Sequence, residues 1–590
     1  MNKMIRTLTI LVFSLLALMP AAAQKLPSRI SPALQAKPPG YYADSVSLFD
    51  YIIEMDPDRG IRYPGISARH IGWDIYIIHT TPALIRRFMS SDAPYRYIDE
   101  QLKPATEGGV LNYDMSANRI TKAWHDFPGV RGEGQTVSVK ENRMDTGDID
   151  LLKRFVPSPN ISPVGETHAT VMTTLLAGAG NSFYTGRGVA PKTKYSSSDF
   201  ITVMPDTITY YTGLGILVQN HSYGTGIQNF YGINARAFDL SANSVPGLIH
   251  VFSSGNSGNQ ASGQGSYAGI SGFANITGNM KMAKNVMLTG AMDSLGTVPV
   301  LSSKGPLYDG RIAPHIVAFG EDGTSGAAAL ASGLSVLLQQ MHAASMGNAY
   351  AGSSLVRAVI ANSADDVHTP GPDYTSGFGK MNAAEALQTV TDKRFFTGEV
   401  GPFEEKDFII DVPAGSSELK VTISWNDPAA ASGAPKALVN DLDLQLQAPG
   451  GAVIDPWVLS IYPAADSLQK AAERRKDTLN NIEQVTVGDP SAGQYVVKVK
   501  TGMLKTPVQP FSIAYQVKAR DAFEWDFPYT DDVLVAGNRF LARWASTMAG
   551  NGSLEISINN GNWELLDNSV SLESGSYPVP LGDSAFEFRL

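Results

Sequence analysis

Cysteine is absent from this chain. That excludes disulfides, thiolate metal sites, a cysteine nucleophile and a lipid-modified cysteine. Outside the cell, stability must then come from large cores and bound ions, so structural calcium is left open. Tracts of Lys and Arg are missing too. Lys plus Arg number 46 against 56 Asp plus Glu, a net charge of −10, which argues against a nucleic-acid partner. Long apolar runs are lacking beyond the first residues. There, "MNKMIRTLTILVFSLLALMPAAA" (residues 1–23) reads as a signal peptide: a basic start at Lys3 and Arg6, a short apolar core, and small residues before Gln24. The run is short for a membrane anchor, and no other stretch is a spanning candidate. The expectation is an exported soluble protein, secreted or held in the periplasm or at the cell surface.

With 590 residues the chain is too long for one core, and two to four domains are expected. Residues 24–115 read as a small N-terminal α/β unit, with strands in "WDIYIIHT" and "YRYID" around a helix in "TPALIRRFMSS". Residues 116–392 alternate short apolar strands ("QTVSVKE", "ILVQNHS", "LIHVFSSGN", "NVMLTGAM") with helices starting near His168, Ser325 and Ser354. That alternation predicts an α/β domain whose parallel sheet is covered on both faces. Residues 396–520 are strands separated by turns and predict an antiparallel β-sandwich. Residues 521–590 are again strand-like and stop inside a strand pattern, which reads as an incomplete second β-rich domain.

The chemistry starts at "EDGTSGAAALASG" (321–333), where Ser325 stands among tiny residues at the head of a predicted helix, Ser325 to Ala344. The plain reading is an N-cap serine. The alternative is a nucleophile, since small neighbours let a substrate backbone approach and the helix N-terminus favours developing negative charge. A nucleophilic serine needs a base, and His168 in "GETHATVMTTLLAG" sits in a similar turn-to-helix setting. The base needs an acid. Glu141 ends the strand "TVSVK", at the sheet end where ligands bind in open α/β folds; Asp145, Asp148 and Asp150 follow in the loop. An oxyanion donor is available at Asn256, in "IHVFSSGNSG". Each of these residues also has an ordinary structural reading as turn, cap or solvated loop.

Taken together, the order 141, 168, 256, 325 resembles the subtilisin-like serine proteases, the subtilases, and the long bacterial subgroup with a C-terminal β-sandwich. "HATVMTTLLAG" is similar to the family's histidine segment, "GTSGAAA" to its serine segment, and Gly255–Asn256 to its oxyanion Gly-Asn; the likeness runs over residues 116–392. The resemblance implies a secreted endopeptidase acting on proteins or peptides, with Ser325 as nucleophile, His168 as base, Glu141 as the orienting acid and Asn256 in the oxyanion hole. No cofactor is implied for catalysis. It also implies that substrate lies as an extra strand between Ser222–Tyr223–Gly224 and Ser253–Ser254–Gly255. The unit 24–115 occupies the place of a removable pro-region, with the cut expected in 103–117, where "KPATEGGVLNYDMSA" reads as an exposed linker.

The chain departs from the family at the acid, where Glu141 stands for the usual Asp. Asp145 is the rival, because "DTG" follows it. A second reading, from a different class, is a subtilase fold whose catalysis has decayed into a secreted binding module; Glu141 is its support.

Overall fold

The computed structural model describes residues 29–106, 113–530, 532–535, 539–559, 561–580 and 586–589. The expected signal peptide lies outside them. Among the described residues no helix is long and apolar enough to cross a membrane.

The N-terminal unit is a four-stranded antiparallel sheet formed by β1 (Phe49–Met55), β2 (Ala68–Gly72), β3 (Ile75–Thr80) and β4 (Tyr95–Glu100), in the order β2-β3-β1-β4. Its helix, Pro82–Met89, starts where Thr81 caps the Leu84 N–H (3.3 Å) and Pro82 occupies the first turn. Ile85 and Phe88 turn inward from it and join Tyr51, Ile53, Ile78 and Ile98 in one core. A last short strand, β5 (Ala105–Thr106), leaves this unit and pairs elsewhere.

The central sheet has six parallel strands: β6 (Thr136–Lys140), β7 (Lys194–Ser198), β8 (Ile216–His221), β10 (Ile249–Ser253), β11 (Met287–Met292) and β12 (Ile316–Phe319), in the order β12-β11-β10-β8-β6-β7. The two-residue strand β9 (Tyr223–Gly224) follows β8 outside that sheet. Every residue of β10 and β11 is buried, as a sheet covered on both faces requires. The helix Thr324–Ser345 lies across β8, β10 and β11 and is buried along most of its length. Its Gly333 permits a close approach, since a Cβ there would fall 2.5 Å from Val189 Cβ.

Strand β7 escapes sequence reading because "KYSSS" has no apolar run. Its buried serines serve a polar network instead: Ser198 Oγ donates to Asp206 (2.7 Å), and Lys140 Nζ donates to Ser198 Oγ (3.1 Å) and Asp206 Oδ1 (3.2 Å).

Beyond the domain of the central sheet, two four-stranded antiparallel sheets from residues 395–519 enclose a core around Trp425, Leu444, Val497 and Ile513. The helix Ser353–Ser363 packs on this sandwich. Two three-stranded antiparallel sheets follow within 523–589. The segment expected to be an exposed linker is only partly so. Met115, Ser116 and Ala117 are buried, and Arg543 of the last unit donates to Asp114 Oδ2 (2.6 Å) and Ser116 Oγ (2.9 Å).

Candidate active site

The end of β6 sets the first group. Lys140 is in register with Ser198 of β7, and the Glu141 N–H donates to Ser198 O (2.7 Å), so the backbone at 141 is held to the sheet. The Glu141 side chain is fully buried. His168 lies in the first turn of the helix Thr167–Ala177, whose N-cap residue is Glu166. Its Nδ1–H donates to Glu141 Oε1. Burial pushes the Glu141 carboxyl above its ordinary range, and the hydrogen bond and charge of His168 partly offset that shift. The rival acid is elsewhere. Asp145 is exposed; its Oδ1 accepts from Gly147 N–H (2.8 Å), and its own N–H donates to Thr170 Oγ1 (2.9 Å). Asp150 is occupied by Ser182, whose N–H donates to it at 2.9 Å.

Ser325 is the second residue of the helix Thr324–Ser345, which packs against the His168 helix. Its Oγ donates to Ser222 O (3.4 Å), and Ser222 Oγ donates in return to Ser325 O (3.1 Å). Asn256 is oriented from the same helix start. Its Oδ1 accepts from both the N–H and the hydroxyl of Thr324, each at 3.0 Å, which turns the Nδ2 amide to the opposite side. The Thr324 hydroxyl also accepts from Gly255 N–H (3.1 Å). Gly255 holds φ +116, and a Cβ there would fall 2.3 Å from Thr277 Oγ1, so glycine is required. Thr324 was missed by sequence reasoning. Its place beside Ser325 was visible, but its bond to Asn256 spans 68 residues of chain.

The two segments expected to flank a substrate strand behave differently. Tyr223 and Gly224 form β9, paired antiparallel with β5 in the register Ala105↔Gly224 and Thr106↔Tyr223. Tyr223 is buried, its ring packed edge-on with Phe200. Ser254 and Gly255 instead use their backbone internally. Ser254 N–H donates to Thr289 O (2.9 Å), Ser254 O accepts from Thr277 (3.2 Å), and Gly255 O accepts from Ser303 (2.8 Å). Gly255 N–H is likewise taken, by the Thr324 hydroxyl, so the backbone of these two residues is tied into the surrounding fold. Among the described residues no group of three or more acidic or histidine side chains is arranged to hold a metal ion.

The family model of the subtilase family matches residues 132–379. This segment is a subtilase domain. It holds Glu141, His168, Asn256 and Ser325. Among curated proteins, the serine protease/ABC transporter B family protein tagA of Dictyostelium discoideum is 27% identical over 241 residues, 37% of this chain and 13% of that protein. The related tagB of the same organism is 31% identical over 108 residues, 18% of this chain and 5% of its own length. The chain thus spans a small part of these relatives. Solved structures similar to this chain include the epidermin leader peptide processing serine protease of Staphylococcus aureus, with 13% identity, 58% of this chain and 98% of that one, and a TM-score of 0.42. The serine protease of Aeromonas sobria shows 15% identity, 66% and 89% coverage and a TM-score of 0.36.

Proposed function

We propose that this protein is an exported serine endopeptidase. Ser325 Oγ attacks the scissile carbonyl, while His168 takes its proton and returns it to the leaving amine. Glu141 holds the His168 ring in the tautomer that keeps Nε2 basic and stabilises the imidazolium. The Asn256 amide and the Ser325 N–H receive the oxyanion. The observation that carries this reading is the hydrogen bond from His168 Nδ1 to the buried Glu141, made at the end of the sheet where Ser325 begins its helix.

The unit 24–115 is proposed as a pro-region. The antiparallel pairing of Ala105–Thr106 on Tyr223–Gly224 supports this, because an added strand is how a peptide binds such an edge without sequence choice. The decayed-module reading rested on Glu141 alone, and a buried glutamate bonded to the histidine removes that support. Labelling the purified protein with a fluorophosphonate and mapping the adduct tests the proposal. The adduct is expected on Ser325, and Ser325→Ala and His168→Ala should each lower kcat by up to about 10⁶, the loss known for subtilisin. A Ser325→Ala protein that still cleaves casein refutes it.

A further inference from the structure

The stretch that carries Ser222, Tyr223 and Gly224 is held by side chains on two sides, because successive side chains of an extended chain alternate. On one side Ser222 Oγ donates to Ser325 O (3.1 Å), Asn220 Nδ2 donates to Ser222 Oγ (3.0 Å), and Ser332 Oγ donates to Asn220 Oδ1 (3.0 Å). These bonds tie the stretch to the helix of the serine. The other side carries a chain of polar groups that the proposed reaction does not use. The Tyr223 hydroxyl lies 3.0 Å from His221 Nδ1, His221 Nε2 lies 3.0 Å from His250 Nδ1, and His250 Nε2 lies 3.2 Å from Ser241 Oγ, on the helix Ile233–Ser244. Tyr223, His221, His250 and Ser241 are all 0% exposed.

Burial keeps both rings neutral. It pushes His221 well below the ordinary histidine range, and His250 down to about 3. A neutral imidazole has one donor nitrogen and one acceptor, so the three bonds run in a single direction. Taken from the phenol, Tyr223 donates to His221, His221 to His250, and His250 to Ser241. Stacking fixes the His221 ring: its centroid lies 4.1 Å from that of Phe252, with 13° between the planes, and Phe238 meets it edge-on. The chain matters because β8 ends at His221. Tyr223 lies past the ladder of the central sheet, in the two-residue strand β9, and its side chain ties it back to that sheet.

We infer that His221 and His250 are positioning residues for the substrate-pairing edge: through the Tyr223 hydroxyl they fix the backbone of Tyr223–Gly224, on which an extended peptide pairs. The inference rests on the protease reading above. Ala105–Thr106 pair on these same two residues. Backbone pairing gives its full gain only on a preformed edge, since an edge that must be ordered on binding returns part of that gain. Loss of the chain therefore penalises substrates long enough to reach Tyr223 and Gly224, and spares shorter ones.

The test uses a long and a short chromogenic substrate that share the residue at the scissile bond and the leaving group, the short one ending before it reaches Tyr223. They are assayed with wild type, Tyr223→Phe, His250→Leu and His250→Asn. Tyr223→Phe keeps the ring and removes the hydroxyl. His250→Leu removes the acceptor for His221, and His250→Asn puts an amide oxygen close to the place of Nδ1. The long-to-short ratio of kcat/KM should fall by roughly 3–10-fold in the first two variants, the range for one hydrogen bond. The loss should appear in KM for the long substrate, and the ratio should return toward wild type in His250→Asn. Thermal unfolding reports the fold of each variant; if His250→Leu does not fold, Tyr223→Phe decides alone. A ratio unchanged in Tyr223→Phe, an equal loss on both substrates, or a wild type that labels with fluorophosphonate but gains nothing from length overturns the positioning role and leaves the protease reading standing. A wild type that neither labels nor cleaves either substrate overturns both.

Discussion

The most informative perturbation is at Glu141. Its backbone is anchored to Ser198 and its carboxylate reaches His168 directly. Glu141→Asp removes one methylene and draws the carboxylate back by about 1.5 Å, the length of one C–C bond. A hydrogen bond stretched that far is lost. The His168 N–H then faces a gap, and a misplacement of about 1 Å in a catalytic array costs on the order of 10² in rate. Glu141→Ala removes the acid altogether and should cost about 10⁴ in kcat, the order of loss when subtilisin is stripped of its aspartate. Asp145→Ala should leave kcat within a few-fold, since that carboxylate closes an exposed turn at Gly147. The assay is kcat on one fluorogenic peptide for the three variants, with fluorophosphonate labelling and thermal unfolding as controls for the fold. A Glu141→Asp enzyme as fast as wild type would show that the strand end is not set back to suit glutamate. An Asp145→Ala enzyme with the larger loss would refute the assignment of the acid.

Further outcomes follow from the rest of the site and the core. Asn256→Ala should lower kcat by roughly 10²–10³ with KM little changed, as in subtilisin, and Thr324→Val should lower it by a smaller factor because one of the two donors to Asn256 Oδ1 is removed; an effect confined to KM would make Asn256 a binding residue. Activity should need a neutral imidazole at His168, so it should fall on the acid side and hold on the alkaline side; an optimum near pH 4 would indicate other chemistry. Burial, with Arg357 and Arg311 nearby, holds His315 down at about 3. A depressed folded value means its contribution to stability is fully present above the ordinary histidine range and is lost as pH falls from about 6.5 toward 3, with a slope of about 1.4 kcal/mol per pH unit. Urea unfolding of Ser325→Ala protein with and without His315→Gln, at pH 7.5, 6 and 5, isolates this slope as a difference, and parallel curves would refute it. N-terminal sequencing of active protein should find a start within 103–117, whereas an intact Gln24 end would make the N-terminal unit permanent.

What could be read from the sequence alone was the order of the chemistry and the kind of fold around it. Strand–helix alternation over 116–392 specified a parallel sheet, because strands buried on both faces are short and apolar. The small residues around Ser325 and the placement of His168 at a helix start were visible for the same local reason. Strand β7 was not visible, since four polar residues form a strand only when a neighbour such as Asp206 satisfies them. The choice between Glu141 and Asp145 was open in one dimension. It depends on where β6 stops relative to the His168 helix, and the register of β6 on β7 sets that position. Only the tertiary structure brings Thr277 against Gly255 and Ser254, because the connection from β10 to β11 has to fold back on itself for them to meet. Distances along a chain constrain such meetings weakly, and the packing of the sheet decides them.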